Sequence, residues 1–113
     1  MLLNHLNLTV ENVPETQAFL TNYFGLNPVG GGNANIAFLT DENGTFISLI
    51  RGRDVQYPDT FHIGFRQASD EAVNELHRQL VEGGFEVEAP HRAHGSWTFY
   101  FNSPGKFVIE VLH

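Results

Sequence analysis

One pattern of elements is written twice along this chain. A period-2 run over residues 3–10 sends Leu6, Leu8 and Val10 to one face and His5, Asn7 and Thr9 to the other. A helix follows from near Pro14, since proline in a first turn lacks only an N–H that has no partner there. Phe19, Leu20, Tyr23 and Phe24 form its apolar stripe and Gly25 ends it. After a turn at Gly30, Gly31 and Gly32 come an apolar run over 34–40, an Asn43-Gly44 turn that favours a tight hairpin, and a strand over 45–50.

The order then returns. A strand is predicted over 60–66, then a helix capped at Ser69 with Val73, Leu76, Leu80 and Val81 at helical spacing, stopped by Gly83 and Gly84. A short strand over 85–88, a longer one over 96–101, a turn at 102–105 and a last strand over 106–112 complete the second copy. His5 and His62 are each the third residue of their opening strand. They lie 57 residues apart, whereas Gly44 and Gly105 lie 61 apart, the difference falling to the longer second helix. This repeat predicts an α+β fold of two tandem βαβββ modules forming a curved mixed sheet around a cleft. The expected organisation is one domain over 1–113, with module one at 1–50, a polar linker at 51–59 and module two at 60–113.

Composition narrows the function. A chain of 113 residues that is 42% hydrophobic and 17% charged is globular and has the length of one domain. Thirteen acidic against 6 basic residues give a net charge of −7, which offers nucleic acid no basic footprint. The absence of cysteine excludes disulfides, thiolate metal sites and cysteine nucleophiles. No basic-then-apolar leader opens the sequence, and no apolar stretch approaches the roughly 20 residues that span a bilayer. A cytoplasmic protein is therefore expected, with neither nucleic acid nor membrane as partner. A cavity-bearing chain this small gains from a partner subunit, so a homodimer is expected.

Chemistry-bearing residues collect on the faces turned away from the helices. His5 shares its face with Asn7 and Thr9, and His62 shares its face with Gly64 while Phe61, Ile63 and Phe65 turn to the helix. Glu110 stands between Val108 and Leu112 on one face of the last strand, costly for a carboxylate unless something positive meets it. A lone strand histidine is ordinarily a hydrogen-bonded structural residue. Two at equivalent places in a repeat, with one acid, form a three-ligand site for a divalent metal: His5, His62 and Glu110. Three protein ligands leave coordination positions open, as catalytic sites do, and the set suits Fe, Mn, Zn or Ni alike. Such an ion holds two substrate oxygens, polarises a carbonyl or stabilises an enolate or alkoxide.

The chain resembles the vicinal oxygen chelate superfamily, the glyoxalase, bleomycin-resistance and extradiol dioxygenase group, over essentially its whole length. The resemblance is carried by residues 4–8 around His5, by Tyr23-Phe24-Gly25-Leu26, Phe61-His62-Ile63 and Phe99-Tyr100-Phe101, and by Ser103-Pro104-Gly105 and Ile109-Glu110-Val111. It implies paired βαβββ modules of glyoxalase type, a divalent metal in the cleft and frequent dimerisation. It also implies ligands on the first and last strand of each module, which again gives His5, His62 and Glu110. The fourth ligand position falls on Ser48 or Leu49, depending on which flanking residues are matched. Neither is an acid, unlike the two His and two Glu of glyoxalase I. The pattern is closer to fosfomycin-modifying thiol transferases and extradiol dioxygenases.

The function implied is a metal-dependent lyase, isomerase, transferase or dioxygenase acting on a small oxygen-bearing molecule. Asn7, Thr9 and Arg92 are the expected substrate-binding residues. Ser48 and Tyr100 are the expected catalytic residues, donating hydrogen bonds to an oxyanion. Lys106 is the other basic residue near a phosphonate position, and His94 is the candidate acid-base histidine; His91 and His94 are otherwise read as exposed loop residues. The alternative is a non-catalytic, bleomycin-resistance-like protein that sequesters a small cationic ligand in an acidic dimer cleft lined by Trp97, Phe99 and Phe101. A third reading is a structural or regulatory module with a vestigial site.

Overall fold

The computed structural model describes residues 1–113 and shows two tandem βαβββ modules, each with its own four-stranded mixed sheet. The chain divides into two compact units, residues 1–56 with 104–106, and residues 57–103 with 107–113.

In the first unit the elements are β1 (His5–Val10), α1 (Val13–Phe24), β2 (Asn27–Pro28), β3 (Ile36–Thr40) and β4 (Phe46–Arg51). The sheet order is β1-β4-β3-β2, with β1 parallel to β4 and the other neighbours antiparallel. A parallel pair needs a long crossover, and α1 begins it. The Asn12 side chain accepts from the Glu15 amide at the head of α1, and Gly25 closes it at φ 66, a left-handed conformation that glycine adopts without a Cβ clash. Leu8, Val10, Phe19, Leu20, Ala37, Leu39 and Leu49 are buried where α1 packs on β3 and β4. The run expected over 34–40 starts as a strand only at Ile36. The Asn33 side chain accepts from the amides of Asn35 and Ile36 and holds the chain in a turn until then. The two-residue β2 carries no alternation and was not foreseen.

The second unit comprises β5 (His62–Arg66), α2 (Asp70–Glu82), β6 (His91–Ala93), β7 (Ser96–Asn102) and β8 (Val108–Leu112). Its order, β5-β8-β7-β6 with β5 parallel to β8, repeats the first. Ser69 caps α2 as expected, accepting from the Ala72 amide at 3.0 Å. Val73, Leu76 and Leu80 are buried with Phe99, Phe107, Ile109 and Val111.

Four expectations need correction here. Val81 is 49% exposed, because a step of about 100° beyond Leu80 carries it off the buried face. Residues 85–88 form no strand. The Glu88 side chain, instead of backbone, accepts the Tyr100 amide at 2.9 Å, and strand pairing with β7 begins at β6. His91 thus opens a strand where a loop was expected, although it is exposed. The last strand begins at Val108 and not at 106, since Lys106 adopts φ 71. No helix is long and apolar enough to cross a membrane.

Candidate metal centre

The second sheet builds a row across three strands. Gly64, Glu110 and Tyr100 are direct neighbours on β5, β8 and β7, and His62 lies opposite Val108, one diagonal step from Glu110. Alternation turns all four to the face away from α2. Gly64 puts no side chain into this row.

The Glu110 carboxylate is held from two sides. Its Oε2 accepts from Thr98 Oγ1 at 2.8 Å, and the Tyr100 hydroxyl hydrogen bonds to the carboxylate as well. Thr98 Oγ1 also lies 3.0 Å from the Val111 carbonyl, so its single proton serves one acceptor at a time. Burial, and then the hydrogen bond to Glu110 with the negative charge of Glu110 and Glu88, push the Tyr100 phenol above its ordinary value. Tyr100 therefore keeps its proton through the neutral range and is a donor. Its ring meets the His62 ring edge-on, centroids 5.6 Å apart.

The other oxygen, Oε1, faces His62 Nε2 at 3.6 Å, with the imidazole 43% and the carboxylate side chain 13% exposed. His62 Nδ1 lies 3.0 Å from the Thr60 carbonyl, which only accepts, so Nδ1 carries the proton of the neutral ring. Nε2 then presents a lone pair to a carboxylate oxygen. The separation is too long for a hydrogen bond, and two acceptors face each other. Ligand atoms bound at about 2.0–2.2 Å to one ion stand about 3.0–3.5 Å apart, so this donor pair fits a divalent cation. A backbone carbonyl on the far imidazole nitrogen is the usual outer support of a metal-binding histidine.

The first sheet repeats the frame with other residues. His5 Nδ1 lies 3.0 Å from Asn4 Oδ1, which leaves Nε2 as its acceptor. Asn7, Ser48 and Phe38 form the cross-strand row, with His5 opposite Phe46. Counted from the strand histidine, Ser48 holds the register of Glu110, Asn7 that of Gly64 and Phe38 that of Tyr100. Leu49 is fully buried on the other face, so Ser48 is the counterpart of the acid. Ser48 Oγ donates to Asn7 Oδ1 at 2.8 Å. Asn4, His5, Phe38, Phe46 and Ser48 line an open depression of about 350 Å³. Thr9 is exposed at the end of this face, its methyl filling the space a Cβ on Gly52 would need.

Of the remaining candidates, Arg92 does not join His62 and Glu110. It pairs with Trp97 across β6 and β7, on the α2 side of the sheet, where its guanidinium bonds Asp70 at 2.7 Å and lies over the Trp97 ring. Lys106 is ion-paired with Glu11. Trp97 donates to Asn74 of α2 on the helix side of the sheet, and Phe99 and Phe101, 0% and 5% exposed, serve the core. His94 is exposed at a turn with φ 54. No three histidine, aspartate or glutamate side chains form a metal-holding group: His62 and Glu110 stand together, while His5 belongs to the other unit. Thr98 was not singled out from sequence, although it lies two residues before Tyr100 and so on the same face.

Residues 2–111 match the Glyoxalase/Bleomycin resistance protein/Dioxygenase superfamily. The chain belongs to that superfamily. No curated protein matches it. Among solved structures, a possible glyoxalase from Bacillus cereus is 44% identical, with a TM-score of 0.93 and coverage of 100% of this chain and 99% of that one. A variant of the fosfomycin resistance protein FosX from Listeria monocytogenes, complexed with Mn(II) and 1S,2S-dihydroxypropylphosphonic acid, is 24% identical; its TM-score is 0.83, over 99% and 93% of the two chains. Lactoylglutathione lyase from Agrobacterium tumefaciens is 18% identical, with a TM-score of 0.79 over 98% and 92%. The superfamily fold is thus present end to end.

Proposed function

We propose that this superfamily member is a divalent-metal-dependent enzyme of the glyoxalase/dioxygenase type acting on a small oxygen-bearing substrate, with His5, His62 and Glu110 as metal ligands. The observation that carries the reading is the unbonded approach of His62 Nε2 to Glu110 Oε1 at 3.6 Å, with Nδ1 tied to Thr60. Manganese in FosX, which shares the fold, supports the choice of a divalent ion.

A bound divalent ion supplies a Lewis acid with open positions for substrate oxygens. The protein groups do the rest. Thr98 fixes one Glu110 oxygen so that the other is presented to the ion. Tyr100, kept protonated, turns its hydroxyl from Glu110 to donate to an oxyanion that develops nearby. Ser48 has given its proton to Asn7, so the Asn7 amide supplies the N–H donors on that side and Ser48 orients it. Thr9 borders the same face, and Arg92, committed to Asp70 and Trp97, takes no part. The enzyme works as a cytoplasmic homodimer in this reading.

Metal titration of tag-free protein tests it. Stoichiometric Mn²⁺ binding that is lost in each of His5→Ala, His62→Ala and Glu110→Ala supports the proposal. Undiminished binding in all three overturns it.

A further inference from the structure

We infer that the substrate has an uncharged, flat apolar body, which lies on the open face of the first sheet against Phe38 while its oxygens point to His5. The oxygen end of this inference rests on the metal-site proposal; the body end does not.

Phe38 and Ile50 are 41% and 42% exposed, and Ile36 and Phe46 are half-buried beside them on the same face. Large apolar side chains grouped on an open sheet face mark a surface that something covers. The residues of β1, β3 and β4 on this face include no lysine, arginine, aspartate or glutamate. Apart from an ion held at His5, a phosphonate or phosphate finds no counter-charge on this sheet face, and a cationic ligand finds no carboxylate on it. The polar groups present suit a neutral partner: the Asn7 amide N–H groups donate, and the Ser48 oxygen accepts.

Size selects a small molecule over a protein. The depression of about 350 Å³ is lined by five residues, including His5. Small-molecule sites run from about 300 to 1,000 Å³, whereas a stable protein interface takes about 800 Å² from each partner. In the register where the second sheet carries the Tyr100 hydroxyl, the first carries the bare ring of Phe38.

The test uses 2-hydroxyacetophenone, a neutral ring bearing adjacent oxygens, and 2-phosphoglycolate, an anion of similar length without a ring. Binding is followed by NMR on the metal-free full chain and by calorimetry with Mn²⁺ present. The ring compound is expected to shift Phe38 and Phe46 resonances, and Phe38→Ala, judged folded by its Tm, to weaken it at least tenfold while Mn²⁺ affinity changes less than twofold. Phosphoglycolate leaves those resonances unmoved. In His62→Ala the Mn²⁺ response disappears while the Phe38 shifts remain, so failure of the metal reading alone is visible as shifts without any Mn²⁺ binding. Phosphoglycolate binding at Phe38 as tightly as the ring compound overturns the inference. So does an unperturbed Phe38 together with a dimer that Phe38→Ala dissociates, which assigns the face to a second copy of the chain.

Discussion

His62 Nε2 and Glu110 Oε1 face each other at 3.6 Å with no proton between them once His62 Nδ1 has donated to the Thr60 carbonyl. The pair is unfavourable alone and favourable around a cation, so its removal should be felt mostly in the metal-bound state. Glu110→Gln keeps the side chain's shape and its Thr98 contact while removing the charge. Mn²⁺ affinity should fall by more than about 100-fold, beyond the loss typical of an outer supporting residue. The Tm of the metal-free protein should hold steady or rise. Calorimetry and thermal melts check both halves, and a drop in apo Tm with unchanged affinity makes the pair a structural contact only.

Thr98 makes a separable prediction, because it touches Glu110 and not the cation position. It is fully buried and its hydroxyl lies within reach of both Glu110 Oε2 and the Val111 carbonyl. Thr98→Val keeps the volume and withdraws the donor. Leaving buried acceptors short of a partner costs about 1–3 kcal/mol, read by urea unfolding. Metal affinity should fall about 10–100-fold, as for other outer supports. Thr98→Ser should restore affinity while losing packing. Equal affinities in the Val and Ser variants would remove Thr98 from the site.

How much of this was legible follows from the kind of signal each residue carries. Strand alternation put His62 and Glu110 on faces away from the helix because period-2 patterning is local, and α2 with its Ser69 cap was readable for the same reason. The register was not. Choosing between Ser48 and Leu49 as the counterpart of Glu110 needed the pairing of Asn7 with Ser48, a contact between residues 41 positions apart. Arg92 looked available because the sequence shows a basic residue near the right strand. It does not show that Trp97 and Asp70 already occupy it. The β6 strand was displaced from 85–88 by a side-chain bond from Glu88 to the β7 backbone, which no propensity encodes.

Asp70 predicts an acid limb in stability. The hydrogen bond from His113, and then the charge and hydrogen bond of Arg92, hold its carboxyl below the ordinary value of 3.8, outweighing the opposing effect of burial. A carboxyl depressed in the folded state contributes stability that is complete above its unfolded value and lost as pH falls through the folded one. Wild-type protein should therefore lose Tm steeply below about pH 4, and Asp70→Asn should lower Tm at neutral pH while flattening that acid limb. An unchanged slope in the variant refutes the assignment. Glu75, whose carboxyl is also held low, chiefly by its hydrogen bond with Arg78, contributes an acid limb of the same sign, so Glu75→Gln serves as the companion measurement.

Tyr100 ties the site to a spectroscopic observable. Burial is the main reason its phenol is raised above 10.0, with the Glu110 hydrogen bond and charge adding to it. A phenolate absorbance titration should therefore include a step later than the ordinary range near 10 that belongs to Tyr100. Tyr100→Phe removes that late step. Glu110→Gln should move it only part of the way back, because burial persists when the charge is gone. The same group sets the alkaline side of catalysis: as a proton-bearing donor, Tyr100 supports turnover on the acid side of its own titration, and kcat should fall only as the late phenol ionises. Tyr100→Phe should lower kcat by about 10²–10³, the usual loss for one oxyanion donor, with a smaller change in KM and with that alkaline limb absent. A variant that keeps the limb, or that loses KM alone, places the proton donor elsewhere and leaves Tyr100 as a wall of the His62 site.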